Sequence, residues 1–123
     1  MITRQSRFVR KPWGQEEIFA ETDSYAGKIL MINSGEALSL QYHERKVETL
    51  RVLSGELRVI AGPSEDALEA HDLVEGNVFH IPPRLLHRMI AMTDCHLLEV
   101  STPDLDDVVR LDDRYGREGT KAP

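Results

Sequence analysis

The stretch GEALSLQYHERKVETLRVLSG, residues 35–55, decides how the rest of the chain is read. Gln41 and His43 are two residues apart, so on an extended strand their side chains share a face. Glu48 follows across the charged stretch Glu44-Arg45-Lys46, which is expected to turn the chain. Leu50-Arg51-Val52-Leu53 then reads as a returning strand. Two readings stay open at this point. In one, Gln41, His43 and Glu48 converge from neighbouring strands on a single metal ion, with a further ligand from elsewhere. In the other, the segment is a hairpin with a polar tip.

Working outward, the strand Leu38 to His43 sorts its residues by face. Leu38, Leu40 and Tyr42 lie on one side; Ser39, Gln41 and His43 lie on the other. The polar set is expected to line a wet or metallated interior. The apolar set is expected to form an outer face through which two copies pair as a homodimer. Upstream, Tyr25 to Ile32 is rich in apolar and β-branched residues and ends at the turn signal Asn33-Ser34-Gly35. Glu16 to Phe19 reads as a short strand. Lys11-Pro12-Trp13-Gly14 is turn-like, and its tryptophan is expected to pack on a sheet edge or a subunit neighbour. Residues 1–12 read as a basic N-terminal arm.

Downstream, strands are expected at Leu57 to Ile60, Leu68 to Val74, Val78 to Ile81, His87 to Met92 and Cys95 to Val100. Pro82-Pro83 stops one of them, since proline cannot donate to an interior ladder. Turn signals recur at short intervals and no long helical period appears, the pattern of an all-β sandwich or barrel. Residues 101–123 read as an acidic C-terminal tail.

The 123 residues fit one domain, 1–123, large enough to bury a core without disulfides. The single cysteine, Cys95, permits no intrachain bridge and is expected to be buried. A net charge of −6 argues against a nucleic-acid partner, while leaving room for a locally basic pocket and a small anionic ligand. No stretch approaches the roughly 18 apolar residues of a membrane span, and the N-terminus lacks the apolar core of a secretory signal. The expectation is a cytoplasmic protein with no membrane partner.

The fourth ligand must come from the remaining histidines. His71 sits in a polar context and is expected to be exposed; His96 reads as structural. His80 faces either the lumen or the outside. His87 opens a strand directly after the Pro82–Leu86 loop and is the best fourth ligand.

These residues also resemble a known pattern. Gly35, Gln41, His43, Glu48 and Gly55 match the spacing of the first cupin motif, and Gly76, Pro82, Arg84 and His87 resemble the second. Arg84 stands where the second motif has glycine, and Ala91 where it usually has asparagine. Gln41 stands where most cupins have histidine, and in this the chain resembles the mannose-6-phosphate isomerase group, in which a glutamine, two histidines and a glutamate hold zinc. Lys11-Pro-Trp-Gly14, Ser39-Leu-Gln-Tyr-His43, Asp107-Val-Val-Arg110 and Asp113-Arg-Tyr-Gly-Arg117 resemble the type II isomerase domain. That domain often follows a nucleotidyltransferase domain, which is not among these residues.

The resemblance implies a cupin fold, a small β-barrel or jelly roll of the double-stranded β-helix kind. It implies that Gln41, His43, Glu48 and His87 ligate a divalent metal, zinc first, with Mn, Fe, Co or Ni also suited to a mixed nitrogen and oxygen set. It implies aldose–ketose isomerisation of a sugar or sugar phosphate. Such chemistry needs a base beside the carbonyl and a cation for the enediolate or a phosphate. Lys46, at a basic position of the family motif, and Arg88, beside His87, are the catalytic candidates. Arg84 is a second arginine flanking His87, and Glu99 and His80 are candidates for the base. Arg114 and Arg117 either fold back over the mouth or pair with nearby aspartates. The rival readings are a non-catalytic cupin that binds a carbohydrate and an Fe-dependent dioxygenase; Gln41 weighs against the latter.

Overall fold

Alternation along the strands builds the molecule. The computed structural model describes residues 3–120. Its strands are β1 (Arg7–Lys11), β2 (Gly14–Glu21), β3 (Ala26–Ile32), β4 (Leu40–Tyr42), β5 (Glu48–Ser54) and β6 (Leu57–Gly62). They continue as β7 (Glu69–Leu73), β8 (Val78–Ile81), β9 (Leu86–Ala91), β10 (Cys95–Ser101), β11 (Val109–Asp112) and β12 (Gly119–Thr120). One short 3₁₀ turn, Glu65–Ala67, interrupts them. Two six-stranded antiparallel sheets result, ordered β1-β2-β3-β10-β5-β8 and β12-β11-β4-β9-β6-β7.

The inward-facing residues repeat one pattern. β3 turns Lys28, Leu30 and Ile32 inward; β5 turns Glu48, Leu50 and Val52; β9 turns His87, Met89 and Ala91. β10 runs antiparallel to β3 and β5 and gives the same order reversed, Cys95, Leu97 and Glu99. Each strand therefore contributes two apolar residues to one end of the interior and one polar residue to the other. The apolar end is a continuous core that also takes in Trp13, Leu57, Val59 and Ile81. Complete burial of such side chains stabilises by about 1.5–3 kcal/mol each, which supports a polar end that contributes little of its own.

Several expectations meet corrections. Trp13 is 2% exposed and lies in the core rather than on an edge. Of the expected arm, residues 7–11 form β1, paired with β2. Of the expected tail, residues 109–112 form β11, inserted beside β4. Leu38 is a core residue and does not belong to an outer face. The chain is irregular before β4, where Ala37 bridges Ile90, so strict alternation begins only at Leu40 and both Leu38 and Ser39 are buried. Gly55, in the β5–β6 turn, has φ of +93°, and a Cβ there would stand 2.2 Å from the Asp94 carbonyl oxygen. Only glycine fits this turn without displacing backbone.

Candidate metal centre and cavity

The polar ends of β5 and β9 meet the end of β4. Gln41 is the register partner of His87 across β4 and β9. His43, Glu48 and His87 are all buried, and one ligand atom from each lies within 4.8 Å of the others. Nε2 of His43 is 3.6 Å, and Nε2 of His87 3.7 Å, from the same oxygen, Oε1 of Glu48. These separations exceed hydrogen-bond length and suit donors that share one ion at about 2 Å from each.

Both imidazoles are held by their other nitrogen. Nδ1 of His87 donates to the carbonyl of Leu85 at 2.9 Å, and Nδ1 of His43 to the carbonyl of Asp107 at 2.5 Å. Backbone acceptors at Nδ1 leave the Nε2 lone pairs free toward Glu48, the arrangement by which proteins orient metal-binding histidines. Nε2 of His87 is buried with no hydrogen-bond partner among the described residues. Burial, opposed by Glu48, pushes the His87 imidazole down to about 4, so it is neutral at physiological pH and available as a ligand. The donor set therefore fits a divalent metal.

Asp107 also organises the turn between β4 and β5. Its carboxylate accepts from the backbone N–H groups of Glu44, Arg45 and Lys46 at 3.0, 2.7 and 2.9 Å. Burial alone would raise the Asp107 carboxyl, but these three donors outweigh it and hold the group below the usual carboxylate range. The second motif meets the same turn: the N–H of Arg84 donates to the carbonyl of His43 at 2.7 Å. Arg84 has φ of +67°, the left-handed conformation in which glycine is at ease.

Lys46 turns inward. Its ammonium lies 2.8 Å from Glu48 Oε2 and 3.1 Å from Glu99 Oε2. Burial would depress it, but Glu99 and Glu48 outweigh burial and hold it well above the ordinary lysine range. Glu48 is driven upward by burial, yet Lys46 and His43 hold it well below its ordinary value. Glu99 is pushed up, by burial first and then by Glu48, with Lys46 and Lys28 opposing.

A cavity of about 510 Å³ opens over this cluster. Gln41, His43 and Lys46 lie on its floor, and Lys11, Lys28 and Arg110 on its wall. Arg88 is a correction: adjacent strand residues face opposite ways, so with His87 inside, Arg88 points out. It donates to the Leu38 and Asp112 carbonyls and pairs with the Asp112 carboxylate at 3.1 Å. Arg84 is likewise exposed and paired with Glu44 at 2.6 Å. His80 is exposed and bonded to Thr49, so it does not reach the cavity as a base. His71 is exposed as expected, and His96, also exposed, bonds Ser54. Arg117 pairs with Asp113, and Arg114 donates to the carbonyl of Gly35. Sequence reasoning missed Asp107, Lys11 and Arg110 as parts of the site. Apolar Val109 and Leu111 flank Arg110, so the local pattern alone does not mark Arg110 as the inward-facing residue of β11.

Two antiparallel sheets around a lumen closed on a His–Glu–His cluster define a cupin, one of the double-sheet jelly rolls. A family model described as mannose-6-phosphate isomerase C-terminal matches residues 2–113, and the chain belongs to that family. Over 118 residues it is 28% identical to mannose-1-phosphate guanylyltransferase RfbM of Salmonella typhimurium, covering 92% of this chain and 24% of the relative. Over 116 residues it is 33% identical to mannose-1-phosphate guanylyltransferase ManC of the same organism, covering 90% of this chain and 23% of the relative. The chain thus spans about a quarter of the length of these curated relatives.

Among solved structures, CapF with 3-isopropenyl-tropolone superposes with a TM-score of 0.77 at 18% identity, over 89% of this chain and 35% of that one. KdgF from Halomonas sp. superposes at 0.69 and 21% identity, over 79% and 86% of the two chains. The S161A mutant of Bacillus subtilis oxalate decarboxylase OxdC does so at 0.73 and 18% identity, over 85% and 30%. At these identities the likenesses establish the fold. Among the described residues, no helix is long and apolar enough to cross a membrane.

Proposed function

We propose that this chain is a metal-dependent cupin that isomerises a sugar or sugar phosphate between aldose and ketose, with Gln41, His43, Glu48 and His87 as the metal ligands. The observation that carries this reading is the convergence of two fixed imidazole Nε2 atoms on one oxygen of Glu48, beside a polar cavity that His43 and Gln41 line. Zinc suits the donor set, as do manganese and other divalent ions. A structural neighbour, Bacillus subtilis oxalate decarboxylase, is described with Mn(II) centres. The metal would supply Lewis-acid polarisation of a bound carbonyl or hydroxyl.

The chain's own residues supply positive charge around the cavity. Lys46 lies in the cavity lining beside His43 and stays charged, a fixed cation near the charge that develops on an enediolate. Lys28 and Lys11 add positive charge to the wall of an otherwise acidic protein, which favours an anionic sugar. The mannose phosphates of the named relatives are substrates of that kind. We take the protein to work in the cytoplasm.

Two features favour a second reading, a non-catalytic carbohydrate-binding cupin. Lys46 is engaged by two carboxylates, and Arg88 lies outside the cavity. Elemental analysis and a coupled assay with mannose 6-phosphate separate the two. The isomerase reading expects about one divalent metal per chain and fructose 6-phosphate formation that disappears in His87→Ala. Folded protein that takes up no metal would sink the metal centre. Metal-loaded protein that binds the sugar without turnover would select the second reading.

A further inference from the structure

The outer face of the sheet β1-β2-β3-β10-β5-β8 is rich in exposed apolar side chains. Leu30 of β3, Leu97 of β10 and Leu50 of β5 turn inward, so the residues between the buried ones point out. The cross-strand register sets six outward residues in one row, one from each strand: Phe8, Glu17, Ile29, Leu98, Arg51 and Val78. Phe8 and Val78, at its two ends, are 60% and 61% exposed. The neighbouring row sets Val100, 51% exposed, opposite Gly27, and the ring of the half-exposed Phe19 lies over that glycine. Large apolar side chains left open side by side on one sheet mark an interaction surface.

The order within the row says what covers it. Across the sheet it runs apolar, acidic, apolar, apolar, basic, apolar. Two strands separate Glu17 from Arg51, a gap of roughly 14 Å at the usual strand spacing, so they do not reach each other within one chain. Neither is held in an ion pair among the described residues. Consider a two-fold axis lying along the strands, between β3 and β10, in the plane of a face-to-face contact. It exchanges β1 with β8, β2 with β5 and β3 with β10. Glu17 then meets the partner's Arg51, and Arg51 the partner's Glu17. Ile29 meets the partner's Leu98, and Phe8 the partner's Val78. An isologous contact must be self-complementary in this manner. An axis running across the strands, along the row, would set each charge against its own copy, so charge selects the first.

We infer that this face binds a second copy of the chain, as a two-fold dimer of packed sheets with Glu17 and Arg51 exchanged across it. Aligned sheets pack about 10 Å apart. Six strands and three rows, with side-chain margins, give a face of roughly 30 Å by 20 Å. Two copies then bury on the order of 1,200 Å², the lower end for specific interfaces, and a dissociation constant in the micromolar range is expected. The other sheet fits a second copy less well. The outer face that carries Leu40 and Tyr42 has its charges matched within the chain, Arg58 with Asp72 and Arg88 with Asp112. No metal-centre side chain takes part, so the dimer is independent of the isomerase reading.

Sedimentation equilibrium of the whole chain, at concentrations on the order of 1–200 µM, tests the assignment. A monomer–dimer equilibrium is expected. Leu98→Glu puts two carboxylates beside the axis and should weaken it at least about 100-fold. Glu17→Arg and Arg51→Glu each set like charges together twice, and each should weaken it about tenfold or more. The double variant Glu17→Arg/Arg51→Glu restores both pairs and should return to within about threefold of the wild type. An equimolar mixture of the two single variants should form a mixed dimer more tightly than either variant pairs with itself. These exposed charge changes decide the matter even if Leu98→Glu fails to fold. A wild type that stays monomeric throughout would overturn the dimer. So would single charge variants that pair like the wild type, or a double variant as weak as the singles. Loss of pairing in Leu40→Glu with none in folded Leu98→Glu would move the contact to the other sheet and overturn this face.

Discussion

The backbone carbonyl of Asp107 stands 2.5 Å from Nδ1 of His43, joining residues 64 positions apart. The same aspartate closes the Glu44–Lys46 turn with its carboxylate, so one residue fixes both an imidazole and the loop beside it. Asp107→Ala removes the acceptor for three backbone N–H groups. It is expected to cost about 1–3 kcal/mol in urea unfolding. The substitution leaves the backbone carbonyl in place as the His43 acceptor, so metal affinity should fall by no more than about 10-fold, through loosening of the turn. An Asp107→Ala protein that unfolds in urea like the wild type would show that the Glu44–Lys46 turn does not depend on the carboxylate.

Lys46 separates Glu48 from Glu99. Lys46→Met leaves two buried carboxylates facing each other and is expected to destabilise by about 3–5 kcal/mol. Adding Glu99→Gln should recover part of that loss by removing the second charge. The double-mutant cycle in chemical denaturation checks this; strict additivity of the two changes would show that the residues do not interact.

His87 makes the metal-free protein acid-sensitive. Its folded-state pKa is lowered to about 4, chiefly by burial, against an ordinary value of 6.5. Between those values the unfolded chain binds more protons, so stability falls as pH drops through the window, and this loss is complete below about pH 4. The expected total is on the order of 3 kcal/mol, read from denaturation midpoints at steps from about pH 7.5 downward. His87→Gln should flatten the profile within the window. A wild-type profile that is already flat there would contradict the buried, neutral state of this imidazole.

Arg84 holds a positive φ in the turn between β8 and β9. Its ion pair with Glu44 is exposed and worth at most about 1 kcal/mol. Replacing it by glycine relieves about 1–2 kcal/mol of backbone strain and returns part of that as unfolded-state entropy. Arg84→Gly is therefore expected to be neutral or stabilising by up to about 1 kcal/mol. Arg84→Val, β-branched at a positive φ, should be clearly destabilising. Thermal melts of the pair decide it; a large loss in the glycine variant would mean that the arginine side chain matters more than its backbone.

Much of the site was legible because strand alternation is local. Gln41 and His43 share a face by period, and Glu48 and His87 sit near strand starts that face the same lumen. The same alternation, applied one residue further, places Arg88 on the outer face of β9, next to His87 in sequence but on the opposite side of the sheet. Asp107 and Arg110 were hidden for a different reason. Their segment is dominated by aspartates and reads as a solvated tail, and nothing local reveals that β11 pairs with β4 across more than sixty positions. Trp13 shows the reverse error: flanking turn residues suggested a surface position, whereas its ring is buried against strands that come later in the chain.

The placement of β11 beside β4 also sets an order of assembly. During synthesis, β4, β5 and the turn between them emerge well before Asp107 and Arg110, which pin His43 and furnish the cavity wall. Closing such long loops is entropically slow. A nascent chain halted before residue 107 would hold His43, Glu48 and His87 without the group that aims His43. Such a chain should bind metal loosely and release it easily. Tight loading is therefore expected to follow the docking of the last strands, which would give newly made protein a late, single step for acquiring its ion.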